Sequence, residues 1–308
     1  MAAPSPTALR PVTIGVVSPG AMGSALGRAW QAGGARVLAT VEGRSERTRL
    51  LAGGLELMPD LTTVVGGSDI VISICPPADA HAVMTAILDA AHAAKVTPLV
   101  ADLNAVSPAT VHELADLAGT AGLDFVDGAL SGGPPVPGGD TMLYLSGARA
   151  DVLADLPSDG LRTRVVGRDP GSASAVKMCT ASVYKGSTAL WAQALQTAHA
   201  HDVLDVVLAD LAVGFPGTAA RAGRLIAVAT SKSARFVAEM EQIAATQGAA
   251  GASPELFEGM AAVYARLSRT PLAALTPEQA RDLTELAEVL ERLLEEPGQS
   301  SSRSNAGA

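Results

Sequence analysis

The stretch GVVSPGAMGSALG, residues 15–27, follows the apolar run Val12-Thr13-Ile14 and restricts this chain more than any other segment. An apolar run, a glycine-rich turn and then helix-forming Ala, Met and Leu is the pattern of a strand leading into a helix N-terminus. Such an N-terminus carries unpaired N–H groups and the positive end of a dipole, which suits an anion. Set against the dinucleotide fingerprint G-x-G-x-x-G, the turn reads Ser18-Pro19-Gly20-Ala21-Met22-Gly23, with serine at the first glycine position. Gly20 and Gly23 hold the second and third positions, where a side chain would block the pyrophosphate or the helix-to-strand packing. The Ser18 hydroxyl is itself a donor for a phosphate. The alternative is a glycine turn that only packs. The flanking strand and helix, and a second strand at the right distance, favour the nucleotide.

Short apolar runs recur along the first half. ARVLATV (35–41) is a second strand, followed by a charged helix from Ser45. DIVISIC (69–75), PLVADL (98–103), DFVDGAL (124–130), TMLYLSG (141–147) and TRVVG (163–167) continue the series. Continuous apolar runs of this length suit parallel strands buried on both faces. Their alternation with helical stretches predicts an α/β domain: a doubly wound (Rossmann) parallel sheet with right-handed crossovers. After Pro170 the pattern changes. Ala, Leu and Glu recur at helical spacing to about Leu294 without a convincing strand, and 172–208 reads as one very long helix or two in line. The expected organisation is a disordered arm over 1–10, a nucleotide domain over 11–168, an all-helical substrate and dimerisation domain over 169–294 and a disordered tail over 295–308.

With 308 residues the chain has room for two domains, and 48% hydrophobic residues supply their cores. Aromatics are only 3%, so those cores must be aliphatic and alanine-rich. A net charge of −9 argues against nucleic acid and anionic membranes as partners. No apolar run reaches the ~20 residues of a membrane span, and MAAPSPTALRP lacks the basic-then-apolar layout of a signal peptide. Cys75 and Cys179 lack CxxC spacing and fit a reducing, cytoplasmic setting. No His/Cys cluster has metal-ligand spacing, so no metal is expected.

Further candidates lie where predicted strands end, the edge at which open α/β sheets bind ligands. After the second strand, Glu42 favours a free ribose 2′-hydroxyl, whereas Arg44 and Ser45 favour a 2′-phosphate through charge-assisted hydrogen bonds. Both kinds are present, and the reading leans to NADP with NAD as the alternative. Cys75-Pro76-Pro77 forces the chain out of the sheet, and Asn104 stands at the equivalent edge of the next strand; either is also ordinary turn chemistry. Ser131-Gly132-Gly133 follows another strand, and its bare backbone can grip a carboxylate through N–H groups. Lys177, set among Ala, Val and Met early on a helix, is either snorkelling or a general acid/base tuned by desolvation. Thr180, Ala181 and Tyr184 lie on its face. Tyr184 and Trp191 read as core or interface packing, with Tyr184 also a candidate pocket wall.

The order IGVVSPGAMG, EGRS, DLNAVSP, DGALSGG and GSASAVKM resembles the 3-hydroxyacid dehydrogenase and 6-phosphogluconate dehydrogenase superfamily over 12–186. KSARFVAEMEQIA (232–244) resembles the helical C-terminal domain of its less characterised branch. The resemblance implies that Lys177 is the catalytic lysine, that Ser131, Gly132 and Gly133 bind substrate, that Gly20, Met22 and Gly23 belong to the cofactor loop, and that the chain dimerises through its C-terminal helices. Two positions depart from the family. Ala181 stands where an asparagine usually helps hold substrate, and Asn104-Ala105 replaces a Ser-Thr pair. A different pocket is expected, with Lys185 and Arg235 as candidates for gripping a phosphate. The leading expectation is a dehydrogenase or ketoreductase acting on a small hydroxy or oxo acid or related carbonyl compound. The alternatives are an imine reductase of the same superfamily, and a cofactor-binding protein without turnover.

Overall fold

The computed structural model describes residues 10–295, so the expected arm and tail fall, except for Arg10 and Glu295, outside the described residues. In chain order the elements are β1 (Thr13–Val16), α1 (Ala21–Ala32), β2 (Arg36–Ala39), α2 (Glu46–Leu51), β3 (Glu56–Leu57), α3 (Leu61–Gly66), β4 (Ile70–Ser73), α4 (Ala80–Ala94), β5 (Leu99–Asp102), α5 (Pro108–Thr120), β6 (Phe125–Ser131), β7 (Thr141–Ser146), α6 (Ala150–Ala154) and β8 (Leu161–Gly167). Helices follow: α7 (Ser172–Ala200), α8 (Leu204–Gly214), α9 (Pro216–Ala219), α10 (Ala222–Thr230), α11 (Ser233–Ala249), α12 (Glu255–Leu267), α13 (Pro277–Asp282) and α14 (Leu286–Leu294). The residues divide into two compact units, one ending at Met178 and the other starting at Cys179, inside α7.

The first unit is one eight-stranded sheet in the order β3-β2-β1-β4-β5-β6-β7-β8. Six strands are parallel. The sheet departs from the all-parallel expectation at β6–β7, which pair antiparallel, with β8 parallel to β7. The loop 132–140 returns the chain directly beside β6, whereas a parallel neighbour would need a crossover. β3, a two-residue edge strand, is too short to show a periodicity. The sheet is sandwiched by two apolar clusters. One gathers Ile14, Leu26, Trp30, Val37, Ile72, Val126 and Leu153; the other gathers Val71, Met84, Ile87, Val100, Val111 and Leu114. Burial on both faces is what the continuous apolar runs require.

In the second unit α11 and α12 pack together, and α10 packs against α13 and α14. Phe236 and Tyr264 meet edge to face at 5.2 Å, and the buried Tyr264 hydroxyl donates to Lys185 O at 2.7 Å. The long-helix expectation resolves as α7 and α8 separated by a turn with Asp202 at φ 55°. None of the α8 side chains is buried, although LDVVLADLAVG is mostly apolar. No helix among the described residues is long and apolar enough to cross a membrane.

Candidate cofactor and substrate site

The turn after β1 is built tightly around its glycines. A Cβ on Gly23 would lie 2.4 Å from Ser18 O and 3.0 Å from Ile74 Cγ2, so α1 reaches the strand only because that residue is bare. A Cβ on Gly20 would meet no atom within 4 Å. The sequence expectation that both glycines are sterically required therefore holds differently for each: Gly23 permits packing, and Gly20 leaves open space. Gly20 is the N-cap of α1, and no acidic side chain stands in the first turn, which begins at Ala21 and Met22. Turn carbonyls face inward: Ser18 O accepts Gly20 N–H at 2.8 Å, and Pro19 O accepts the Ser24 hydroxyl. Ser18 Oγ is buried with no hydrogen-bond partner among the described residues. A helix start, with its unpaired N–H groups, suits an anion.

Arg44 and Cys75 come together in a cleft of about 350 Å³, also lined by Val17, Leu61, Asp79, Ala82, Val83 and Ala86. Glu42, Arg44 and Ser45 are exposed. Ser45 caps α2, accepting Thr48 N–H at 3.3 Å, so its hydroxyl already has a structural role. Pro76 is exposed and the buried Pro77 starts a 3-10 turn through Asp79. Burial pushes the Cys75 thiol up to about 12, with Asp102 and Asp79 adding to the shift, so it stays neutral. The open space at Gly20, the donors at the start of α1 and the cation in the cleft fit a dinucleotide.

A buried polar row, not singled out by the sequence reading, crosses the sheet. Ser73 pairs with Asp102, Asp102 with Asp127 and Asp127 with Ser146 across β4, β5, β6 and β7. All four are at most 1% exposed. Asp127 Oδ2 accepts N–H groups of Gly171 (2.9 Å) and Ser174 (3.0 Å) and the Ser146 hydroxyl (2.9 Å). Its Oδ1 accepts the Ser174 hydroxyl at 2.7 Å, and Ser146 Oγ accepts Ala173 N–H at 3.0 Å. A strand carboxylate thus takes up the orphan donors at the start of α7. The available signal was an acid inside an apolar run, as in PLVADL and DFVDGAL, since an Asp is almost never fully buried without partners.

That anchoring sets the register of Lys177, whose Nζ donates to Leu130 O at 2.6 Å. The lysine head is therefore held at the end of β6, immediately before Ser131-Gly132-Gly133. Gly132 has φ +112°, open to glycine and strained for other residues, and Gly133 O accepts the Thr141 hydroxyl at 3.0 Å. Asn104, expected to face a cofactor, is 2% exposed and bonds internally. In the second unit, Thr180 is half-buried and Tyr184 is 72% exposed, which removes the core reading of Tyr184. Trp191 meets Phe215 edge to face at 6.1 Å. Lys185 and Arg235 both pair with the buried Glu239, which offsets the charge expected to grip a phosphate.

Residues 13–157 match the NAD binding domain of 6-phosphogluconate dehydrogenase, and 198–267 match a domain of unknown function (DUF1932). An uncharacterized 28.5 kDa protein in the 7S RNA 5′ region of Methanothermus fervidus is 30% identical over 172 residues, 54% of this chain. The match spans 64% of that relative's length. A conserved protein of unknown function, described as structurally similar to 3-hydroxyacid dehydrogenases, aligns at 27% identity and TM-score 0.62 over 83% of this chain and 97% of its own. The 3-hydroxyisobutyrate dehydrogenase of Mycobacterium tuberculosis shares the fold at 20% identity and TM-score 0.65, over 92% and 100% of the two chains. Imine reductases share it at TM-scores of 0.51 to 0.55. With a dinucleotide domain and a helical domain matched in that order, the chain fits the 6-phosphogluconate-dehydrogenase-like superfamily.

Proposed function

We propose that this protein is an NAD(P)-dependent oxidoreductase acting on a small hydroxy or oxo acid or a related carbonyl compound, with Lys177 as general acid/base. The observation that carries the reading is the Lys177 amino group, fixed 2.6 Å from Leu130 O beside the exposed Gly132-Gly133 backbone. Bound nicotinamide would supply or accept the hydride. Lys177 would pass the proton at the carbonyl oxygen, giving it in reduction and taking it in oxidation. The backbone after Ser131 would hold a substrate carboxylate through N–H groups. Arg44 in the cleft supports NADP over NAD, because a guanidinium gains a charge-assisted pair from a 2′-phosphate.

Imine reduction is the second reading. It is favoured by Ala181, which leaves the substrate side of α7 without the expected asparagine. The lysine argues for carbonyl chemistry instead. The exposed apolar residues Val183, Leu190, Val206 and Val213 on α7 and α8 support a homodimer through these helices. Two free cysteines fit the cytoplasm.

The test is Lys177→Ala. Cofactor affinity should be retained while turnover falls ~10²–10⁴-fold, the usual contribution of a positioned proton donor. Unchanged turnover would remove Lys177 from the reaction.

A further inference from the structure

Asn104 stands at the sheet edge where a cofactor ligand was expected, yet its side chain is enclosed. Its Nδ2 donates to Asp102 Oδ1 at 2.6 Å and to Ser73 Oγ at 3.1 Å, and its backbone N–H donates to Asp102 Oδ2 at 3.2 Å. With the donor end of the amide claimed by Asp102 and Ser73, the acceptor end is forced the other way. There Oδ1 accepts Cys75 N–H at 2.5 Å. Cys75 lines the Arg44 cleft, and the two residues after it are prolines, which offer no backbone N–H and hold φ near −65°. The Asn104 bond thus fixes the last backbone donor of β4's extension before a stiff segment, and so fixes that wall of the cleft.

We infer that Asp102 and Asn104 are positioning residues for the cofactor: the Asp102 carboxylate orients the Asn104 amide, and the amide holds Cys75 in the wall of the cleft. This rests on the dinucleotide reading of the cleft. An ionised Asp102 accepts both bonds from Asn104, whereas a protonated carboxyl or an amide in its place loses one acceptor. Burial, with Asp127 alongside, raises the Asp102 carboxyl to about 7, so both forms are populated near neutrality. The titratable groups around it are Asp127 on β6, the Cys75 thiol at the β4 edge with Asp79 facing it, and His112 on α5, beside the Gly171 end of the Asp127 network. The wall is firm when Asp102 is ionised and loosens as pH falls through 7.

The experiment is NADPH titration of wild type, Asp102→Asn and Asn104→Ala at pH 6, 7 and 8, with melting temperatures of the unliganded proteins. The 2′-phosphate of the cofactor titrates identically for all three, so affinity ratios report the protein alone. Asp102→Asn should bind about tenfold more weakly at pH 8, one hydrogen bond's worth, with the gap closing at pH 6. Asn104→Ala should also bind about tenfold more weakly at pH 8, with its gap to wild type narrowing at pH 6 as the wild-type wall loosens. A raised carboxyl contributes stability below its ordinary value of 3.8 and loses it as pH rises through 7, so at pH 8 its ionised form burdens the fold. The melting temperature of Asp102→Asn at pH 8 should therefore not be below wild type. Wild-type affinity in both variants overturns the inference, as does a loss that follows a fall in melting temperature. Failure of the wild type to bind NADPH or NADH overturns the functional reading beneath it.

Discussion

Gly20 and Gly23 share the first turn of α1 but answer to different physics. At Gly23 the obstacle is the protein itself, the Ser18 carbonyl 2.4 Å from where a Cβ would stand. Gly23→Ala must push α1 off β1 and should cost about 1–3 kcal/mol of stability, the usual range for overpacking. Gly20 faces open space, and its φ of −70° is ordinary for any residue. Under the proposed function, Gly20→Ala should leave the urea midpoint where it is and weaken NADPH binding, because the methyl enters the open space at the start of α1. Equal stability losses in the two variants would show that the turn is a packing device. Serine at the first fingerprint position is tolerated because the steric demand is concentrated at the third.

Among elements, the start of α7 is the clearest case of a strand organising a helix. Asp127 on β6 accepts from Gly171, Ser174 and Ser146, and the helix it anchors places Lys177 against Leu130. Ser174→Ala removes one buried hydroxyl bond to that carboxylate and should lower unfolding free energy by about 1.5–3 kcal/mol, read from urea denaturation. A change within about 0.5 kcal/mol would mean that Asp127 does not hold the helix. Strand positions were legible because runs such as VTIGVV and DIVISIC are apolar throughout. The direction of β7 was not, since a strand's side-chain pattern is the same read either way. β3, Glu56–Leu57, left no periodic trace. The fingerprint, Lys177 and Ser131-Gly132-Gly133 were legible as local motifs. The row Ser73, Asp102, Asp127, Ser146 was not, because its members are brought side by side only by strand register. The inward turn of Asn104 was hidden for the same reason: its partners Ser73 and Cys75 lie at and just past the end of β4.

For the whole molecule, a chain of net charge −9 places Arg44 in a cleft next to the helix start that the fingerprint predicted, and a lysine at the end of β6. The matched families assign the first unit to dinucleotide binding and leave the helical unit's role open. In that unit α7 and α8 leave Val183, Leu190, Val206 and Val213 exposed. Carbonyl chemistry with a nicotinamide cofactor is open to direct measurement. The most direct measurement is NADPH consumption by the wild-type chain across small 2-oxo and 3-oxo acids, semialdehydes and ketones, with and without added amine. At least one carbonyl class should turn over without amine, and Lys177→Ala should lose that turnover. Turnover only with amine or preformed cyclic imines, or tight NADPH binding with no turnover on any of them, would contradict it.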